Sequence, residues 1–233
     1  MKLETLHLRI LSPIVLAPLT LWCIVYGKQP FMVMMGAAIA FSIQEWFGMV
    51  SREKDNICVR FGIGALYIMG CFTAFIAVRQ HFGDHGTGLV LGLLFSVWAT
   101  DTGAYIAGKT IGGPKMAPTI SPNKTWAGLA GGIASSVAVL FAYVHAIGPY
   151  LGNLIRNDLN MPEGFSTLSI LLIGFAIAVS GQIGDLLISM QKRRVGVKDT
   201  GALIPGHGGI LDRIDGLLLA APVFLVCLKV MGL

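Results

Sequence analysis

Apolar residues run along this chain in seven long stretches, 10–27, 31–50, 61–78, 87–108, 126–147, 166–190 and 214–232, with short polar intervals between them. Each is close to the roughly 20 apolar residues that an α-helix needs to cross a bilayer. Most are apolar on every side, which suits lipid and not water. The pattern predicts an all-α fold: a polytopic membrane helical bundle of about seven transmembrane helices, one domain over 1–233. Counted on alternate sides of such a bundle, Lys28, Arg79, Arg156 and Lys229 fall together in outer intervals, and the other thirteen of the 17 Lys and Arg share the opposite side. Positive charge gathers on the cytoplasmic side. The N-terminus is therefore expected in the cytoplasm, the location is the inner (cytoplasmic) membrane, and the long polar intervals 109–125 and 191–213 face inward.

Composition narrows the class. Of 233 residues, 55% are hydrophobic and 12% charged, and the mean hydropathy is +0.74. A soluble domain carries about 25% charged residues, so a soluble enzyme, a disordered chain and a secreted disulfide scaffold are excluded. The net charge of +5 points to basic loops over anionic lipid, not to nucleic acid. Four cysteines form no Cys-x-x-Cys pair, and so suggest neither a zinc site nor a redox motif. Gly88/Gly92 and Gly128/Gly132 are small-xxx-small pairs, read as close helix packing or as a homodimer face.

Three acids lie where acids are costly: Glu45, Asp101 and Asp185, each inside an apolar stretch. Such a residue costs about 2.5–3.5 kcal/mol at a helix centre and normally faces a bundle interior or a wet cavity. Glu45, near the end of its stretch, is expected to be hydrated or paired with Arg52. Asp101 and Tyr105 share one helical face. Gln182, Asp185, Ser189 and Lys192 follow at spacings of 3, 4 and 3, a continuous polar stripe that ends in Lys192-Arg193-Arg194. Oxygen ligands leading into a cationic cluster suit a metal together with phosphate.

The following interval supplies Lys198 and Asp199, then His207-Gly208-Gly209, then Asp212, Arg213 and Asp215 at the start of the last stretch. Glycine lets backbone N–H groups approach an anion, and one or two carboxylates with substrate phosphates are the usual surroundings of Mg²⁺. The earlier interval holds Ser121-Pro122-Asn123-Lys124-Thr125, suited to phosphate or base contacts just before a helix, and also a common way to begin one. Gly103 to Thr110 matches the P-loop spelling, but it ends a membrane stretch and runs into Gly112-Gly113-Pro114, so the match is taken as chance.

The run Ser189-Met190-Gln191-Lys192-Arg193-x4-Lys198-Asp199-x-Gly201-x2-Ile204-Pro205-x-His207-Gly208-Gly209-Ile210-x-Asp212-Arg213-Ile214-Asp215 resembles the signature of the phosphatidate cytidylyltransferases. Ser121–Thr125, Asp101–Tyr105 and Gly181–Asp185 also look like features of that family, while Gln191 stands where the family usually has an apolar residue. The resemblance implies a Mg²⁺-dependent enzyme that joins CTP and phosphatidic acid into CDP-diacylglycerol and pyrophosphate, with the catalytic part over about 96–216. It also implies Asp185 and Asp212 as metal ligands, with Asp215 as a further partner or the ligand of a second cation. Lys192, Arg193, Lys198 and Arg213 would meet phosphates, and Ser121, Asn123, Lys124 and Thr125 a substrate head group. Ser189, Asp199, Gly208 and Gly209 would line the substrate site, with His207 either donating to phosphate or shaping the loop. The rival readings are a CTP-dependent lipid kinase of polyprenol type and an ion-coupled transporter using Asp101 and Asp185.

Overall fold

The computed structural model describes residues 3–53, 56–204 and 206–232, and of residues 3–13 the backbone alone. Lys2, Lys54 and Pro205, which entered the charge count and the signature, lie outside the described residues. Every apolar stretch is a helix: α1 (Leu3–Tyr26), α2 (Lys28–Val50), α3 (Ile57–His81), α4 (Gly86–Thr110), α5 (Trp126–Ala142), α7 (Thr167–Arg194) and α8 (Leu211–Met231). Six spans among the described residues are long and apolar enough to cross a membrane, and Ile14–Tyr26 of α1 is a shorter apolar helix. The fifth apolar stretch outruns its expected end. A π-turn at Tyr143–Ile147 carries it into α6 (Gly148–Leu154), whose second residue, Pro149, is tolerated because a helix's first turn needs no N–H there. The chain is a polytopic, all-α membrane bundle.

Large side chains such as Val33, Leu66 and Val230 stay exposed on its outer surface, where lipid would cover them. Inside, Ile24, Phe31, Ile68, Leu89, Leu140, Tyr143, Ile173 and Phe224 are buried. Lipid gives no hydrophobic drive between helices, so close approach has to supply the packing. Both small-residue pairs serve this purpose within the chain. A Cβ on Gly132 would stand 3.0 Å from the Thr100 carbonyl oxygen, and one on Gly128 2.9 Å from that of Ala104, so α4 and α5 cross backbone to backbone. Gly88 and Gly92 make room for Asn160 and Met161.

The up-and-down path gives two polar ends. At one, the α2–α3, α4–α5 and α7–α8 connections meet: Gln191 donates to Glu53 Oε1 at 2.9 Å, and Arg193 Nε to the Ile120 carbonyl at 3.3 Å. Glu53 also pairs with Arg60. At the other end, the Arg156 guanidinium donates to the Val25 carbonyl at 3.0 Å and Thr87 to Asp158 at 2.9 Å. Arg79, expected in an outer interval, instead closes the last turn of α3 and is 8% exposed.

The 109–125 interval is not simply a loop. Gly112 and Gly113, at φ of 70° and 91°, turn the chain into a two-stranded antiparallel hairpin, β1 (Lys115–Ala117) and β2 (Ser121–Thr125). The turn sits under Arg193, and the hairpin runs directly into α5. Five residues with proline at the second position carry no strand periodicity, which is why the sequence pattern reads as a loop.

Candidate active site

The site forms where α7, α8 and the hairpin converge. The α7 stripe exists as expected. Ser189 Oγ donates to Asp185 Oδ1 at 3.0 Å, one helical turn apart, and Asp185 Oδ2 binds Lys124 Nζ of β2 at 2.6 Å. Lys124 also donates to the Gln182 carbonyl at 3.3 Å. The hairpin is thus the arm that carries Lys124 onto Asp185. Thr125, next in the strand, accepts from Gly128 N at 3.0 Å and caps α5, which fixes where the strand ends and the helix begins. Ser121 and Asn123 lie on the same strand, half-buried and exposed respectively.

The second acid is tied more tightly. Lys192 Nζ, at the far end of the α7 stripe, donates to Asp212 Oδ1 at 2.7 Å. Asp212 Oδ2 accepts from Thr200 N at 2.7 Å, Thr200 Oγ at 2.9 Å and Gly209 N at 2.9 Å. The 195–210 segment therefore folds back over the start of α8. Ile204 N donates to the Gly208 carbonyl at 2.9 Å to close a tight turn, and Gly208 takes φ 85° with Asp212 and Asp199 packed against it. The side chains of Lys192 and Asp212 are 11% and 5% exposed. Losing one partner of so enclosed an ion pair costs about 3–5 kcal/mol.

Asp185 stands on α7 about two turns before Lys192, and Lys192 holds Asp212 at the start of α8. Asp101 on α4 stands within charge range of Asp185 and Lys124, and Asp215 within range of Asp185 and Lys192. Asp215 itself accepts from Gly216 N at 2.9 Å. Lys198 and Asp199 are exposed beside the loop. Besides Lys192, two more of the basic residues expected on phosphates have protein partners: Arg193 holds the hairpin turn, and Arg213 donates from Nε and a terminal nitrogen to the His207 carbonyl at 3.2 and 2.8 Å. The His207 ring is left with a buried Nδ1 that has no hydrogen-bond partner among the described residues.

Among the described residues, no three His, Cys, Asp or Glu side chains converge into a ready-made cation cage. Mg²⁺ needs no such cage, because substrate phosphates and water complete its shell. Asp185 and Asp212 fit that requirement in donor chemistry: hard carboxylate oxygens, each already holding one ammonium group. Asp185, 30% exposed against 5% for Asp212, is the more open of the two.

One acid departs from expectation. Glu45 is not paired with Arg52. It is buried, and its carboxylate accepts from Ile210 N at 2.8 Å, Leu211 N at 3.0 Å and Thr200 Oγ at 2.8 Å. The α8 N-terminus has no side-chain cap of its own, so its first N–H groups need acceptors from elsewhere. Glu45 supplies them from α2, more than 150 positions earlier in the chain. Only the cost of an acid in an apolar helix marked it in the sequence, and no local pattern could name so distant a partner.

Comparison with known proteins decides the family. The sequence model of the cytidylyltransferase family matches residues 56–231, from the first helix after the α2–α3 connection to the end of α8. The chain belongs to the cytidylyltransferase family. Named relatives agree along most of its length. A phosphatidate cytidylyltransferase of Rickettsia felis is 34% identical over 225 residues, covering 94% of this chain and 91% of that protein. One from Rickettsia bellii is 35% identical over 222 residues, covering 94% and 89%. One from Haemophilus influenzae is 42% identical over 158 residues, covering 68% of this chain and 51% of that protein. In this cytidylyltransferase, the matched segment contains both Asp–Lys pairs, the hairpin and the glycine loop; Glu45 lies before it.

Proposed function

We propose that this protein transfers the cytidylyl group of CTP to phosphatidic acid, forming CDP-diacylglycerol and pyrophosphate, in a Mg²⁺-dependent reaction at the cytoplasmic face of the inner membrane. The observation that carries the proposal is the pair of lysine-held carboxylates, Asp185–Lys124 and Asp212–Lys192, at the basic end of a lipid-embedded bundle. One substrate is a lipid and the other a water-borne polyanion, so the site has to meet both the bilayer and a cationic surface.

A phosphate oxygen of phosphatidic acid attacks the α-phosphorus of CTP in line. The new P–O bond forms as the bond to the β-phosphate breaks, and the electron pair leaves on pyrophosphate. No bond to the protein is required. Mg²⁺, when bound, supplies charge neutralisation for the phosphates and the leaving group. Asp185 and Asp212 would hold it, with Asp215 and Asp101 adding negative charge nearby. Lys124 and Lys192 would exchange their carboxylates for phosphate oxygens as substrate arrives. Lys198 extends the cationic surface outward, and His207 either donates to phosphate or shapes the loop. Ser121 and Asn123 remain for the head group and nucleotide.

The test is a reconstituted assay with phosphatidic acid, Mg²⁺ and CTP labelled separately on cytosine and on the γ-phosphate. The proposal expects cytosine label in the lipid and γ label in pyrophosphate. Lipid carrying only the γ label would assign a CTP-dependent lipid kinase instead.

A further inference from the structure

Glu45 is the intramembrane acid that the proposed chemistry leaves without a part. It sits on α2, which contributes no other residue to the Asp–Lys pairs, and it precedes the segment matched by the family model. Yet its surroundings are shaped around it. A Cβ on Gly209 would collide with Glu45 Oε2 and Thr200 Oγ, and one on Gly201 would stand 3.0 Å from Glu45 Oε1. The two glycines leave room for a carboxylate that arrives from another helix.

Thr200 joins this acid to Asp212. Its hydroxyl lies 2.8 Å from Glu45 Oε2 and 2.9 Å from Asp212 Oδ2, and it has one hydrogen to share between them. The backbone is divided in the same way: Ile210 N and Leu211 N go to Glu45, while Thr200 N and Gly209 N go to Asp212. Thr200 and the run Gly209–Leu211 are thus held from two sides by two carboxylates.

We infer that Glu45 is a positioning residue: it clamps the 200–211 loop to α2 and thereby fixes Asp212 and the Thr200 hydroxyl for cytidylyl transfer. The inference rests on the reading of Asp212 as part of the transfer site. Glu45 touches neither nucleotide nor lipid and acts only through the loop. Glutamine keeps its size but offers one acceptor oxygen where the carboxylate offers two, so one backbone N–H would face an amide NH₂.

The test uses the full-length protein in lipid nanodiscs, with Glu45→Gln, Thr200→Val, Thr200→Ser and Asp212→Asn. Hydrogen exchange over 199–212, measured without substrate, should speed up about tenfold or more in Glu45→Gln, as expected for loss of bonds to a charged acceptor. The same variant should lose about tenfold to a hundredfold in kcat and need more Mg²⁺ for half-maximal rate, with KM for phosphatidic acid within about twofold, because the loop presents Asp212 and does not bind the lipid. Thr200→Val should move the same readouts in the same direction, and Thr200→Ser should recover most of the loss. Should Glu45→Gln misfold, the Thr200 pair and its exchange rates decide alone. Unchanged exchange overturns the inference, and so does faster exchange with kcat and Mg²⁺ demand unaltered, which would make Glu45 merely structural. If Asp212→Asn is inactive while Glu45→Gln and Thr200→Val behave as wild type, only this inference fails. If Asp212→Asn keeps full activity, the reading of the site fails with it.

Discussion

The two polar ends of the bundle use similar residues for different ends. Away from the site, Asp158 accepts from Thr87 and from Arg156, Tyr143 donates to the Leu159 carbonyl at 3.0 Å, and Arg156 reaches the Val25 carbonyl. One acid there ties α1, α4 and the segment after α6 together. At the site end, two acids each hold an enclosed lysine, and further lysine and arginine surround them. The lesson is one of charge balance. An acid matched by a hydroxyl and a guanidinium fastens the bundle's outer segments. An acid that holds a lysine ammonium, beside surplus positive charge and a glycine loop, can trade that ammonium for a cation and take phosphates in return.

The sharpest way to break this contrast is Asp185→Asn. It should lower cytidylyl transfer by about a thousandfold or more, in keeping with the several kcal/mol that metal-assisted charge stabilisation supplies, while the purified protein keeps its helical circular dichroism. Gly209→Ala should come next. The added Cβ meets Glu45 and Thr200, and an overpacked site costs about 1–3 kcal/mol, so a loss of about tenfold to a hundredfold in kcat is expected in steady-state assays. Lys124→Ala removes an ammonium but leaves the carboxylate partly exposed and free to hold a cation; about tenfold lower kcat/KM for the nucleotide is expected, since a charge-assisted contact is worth roughly 1.5–3 kcal/mol. At the other end, Asp158→Ala should lower thermal stability by about 1–3 kcal/mol through its lost partners, with kcat unaffected. Arg156→Ala, on a half-exposed pair, should cost about 1 kcal/mol or less.

Helix positions were legible in the sequence because lipid imposes a single rule, apolar on all sides, and most of the seven stretches obey it. The α7 stripe was legible because i, i+3 and i+4 spacing on a straight helix dictates a shared face, and Ser189 does reach Asp185. What escaped were contacts set by tertiary approach. The hairpin is held by pairing Lys115 with Thr125 across a turn rather than by periodicity. Arg193 and Arg213 look like phosphate ligands by charge alone, yet each finds a carbonyl near by. Glu45 looked like a partner for Arg52 because sequence shows only neighbours along the chain, whereas α2 brings it to a loop beyond α7.

The most direct measurement of the central claim is protein-bound Mn²⁺, used in place of Mg²⁺ and read by electron paramagnetic resonance after CTP is added to the purified protein and free ligand is removed. Wild type and Asp158→Asn are predicted to retain a CTP-dependent Mn²⁺ signal, and Asp185→Asn to lose it. An equal signal in Asp185→Asn would contradict the account.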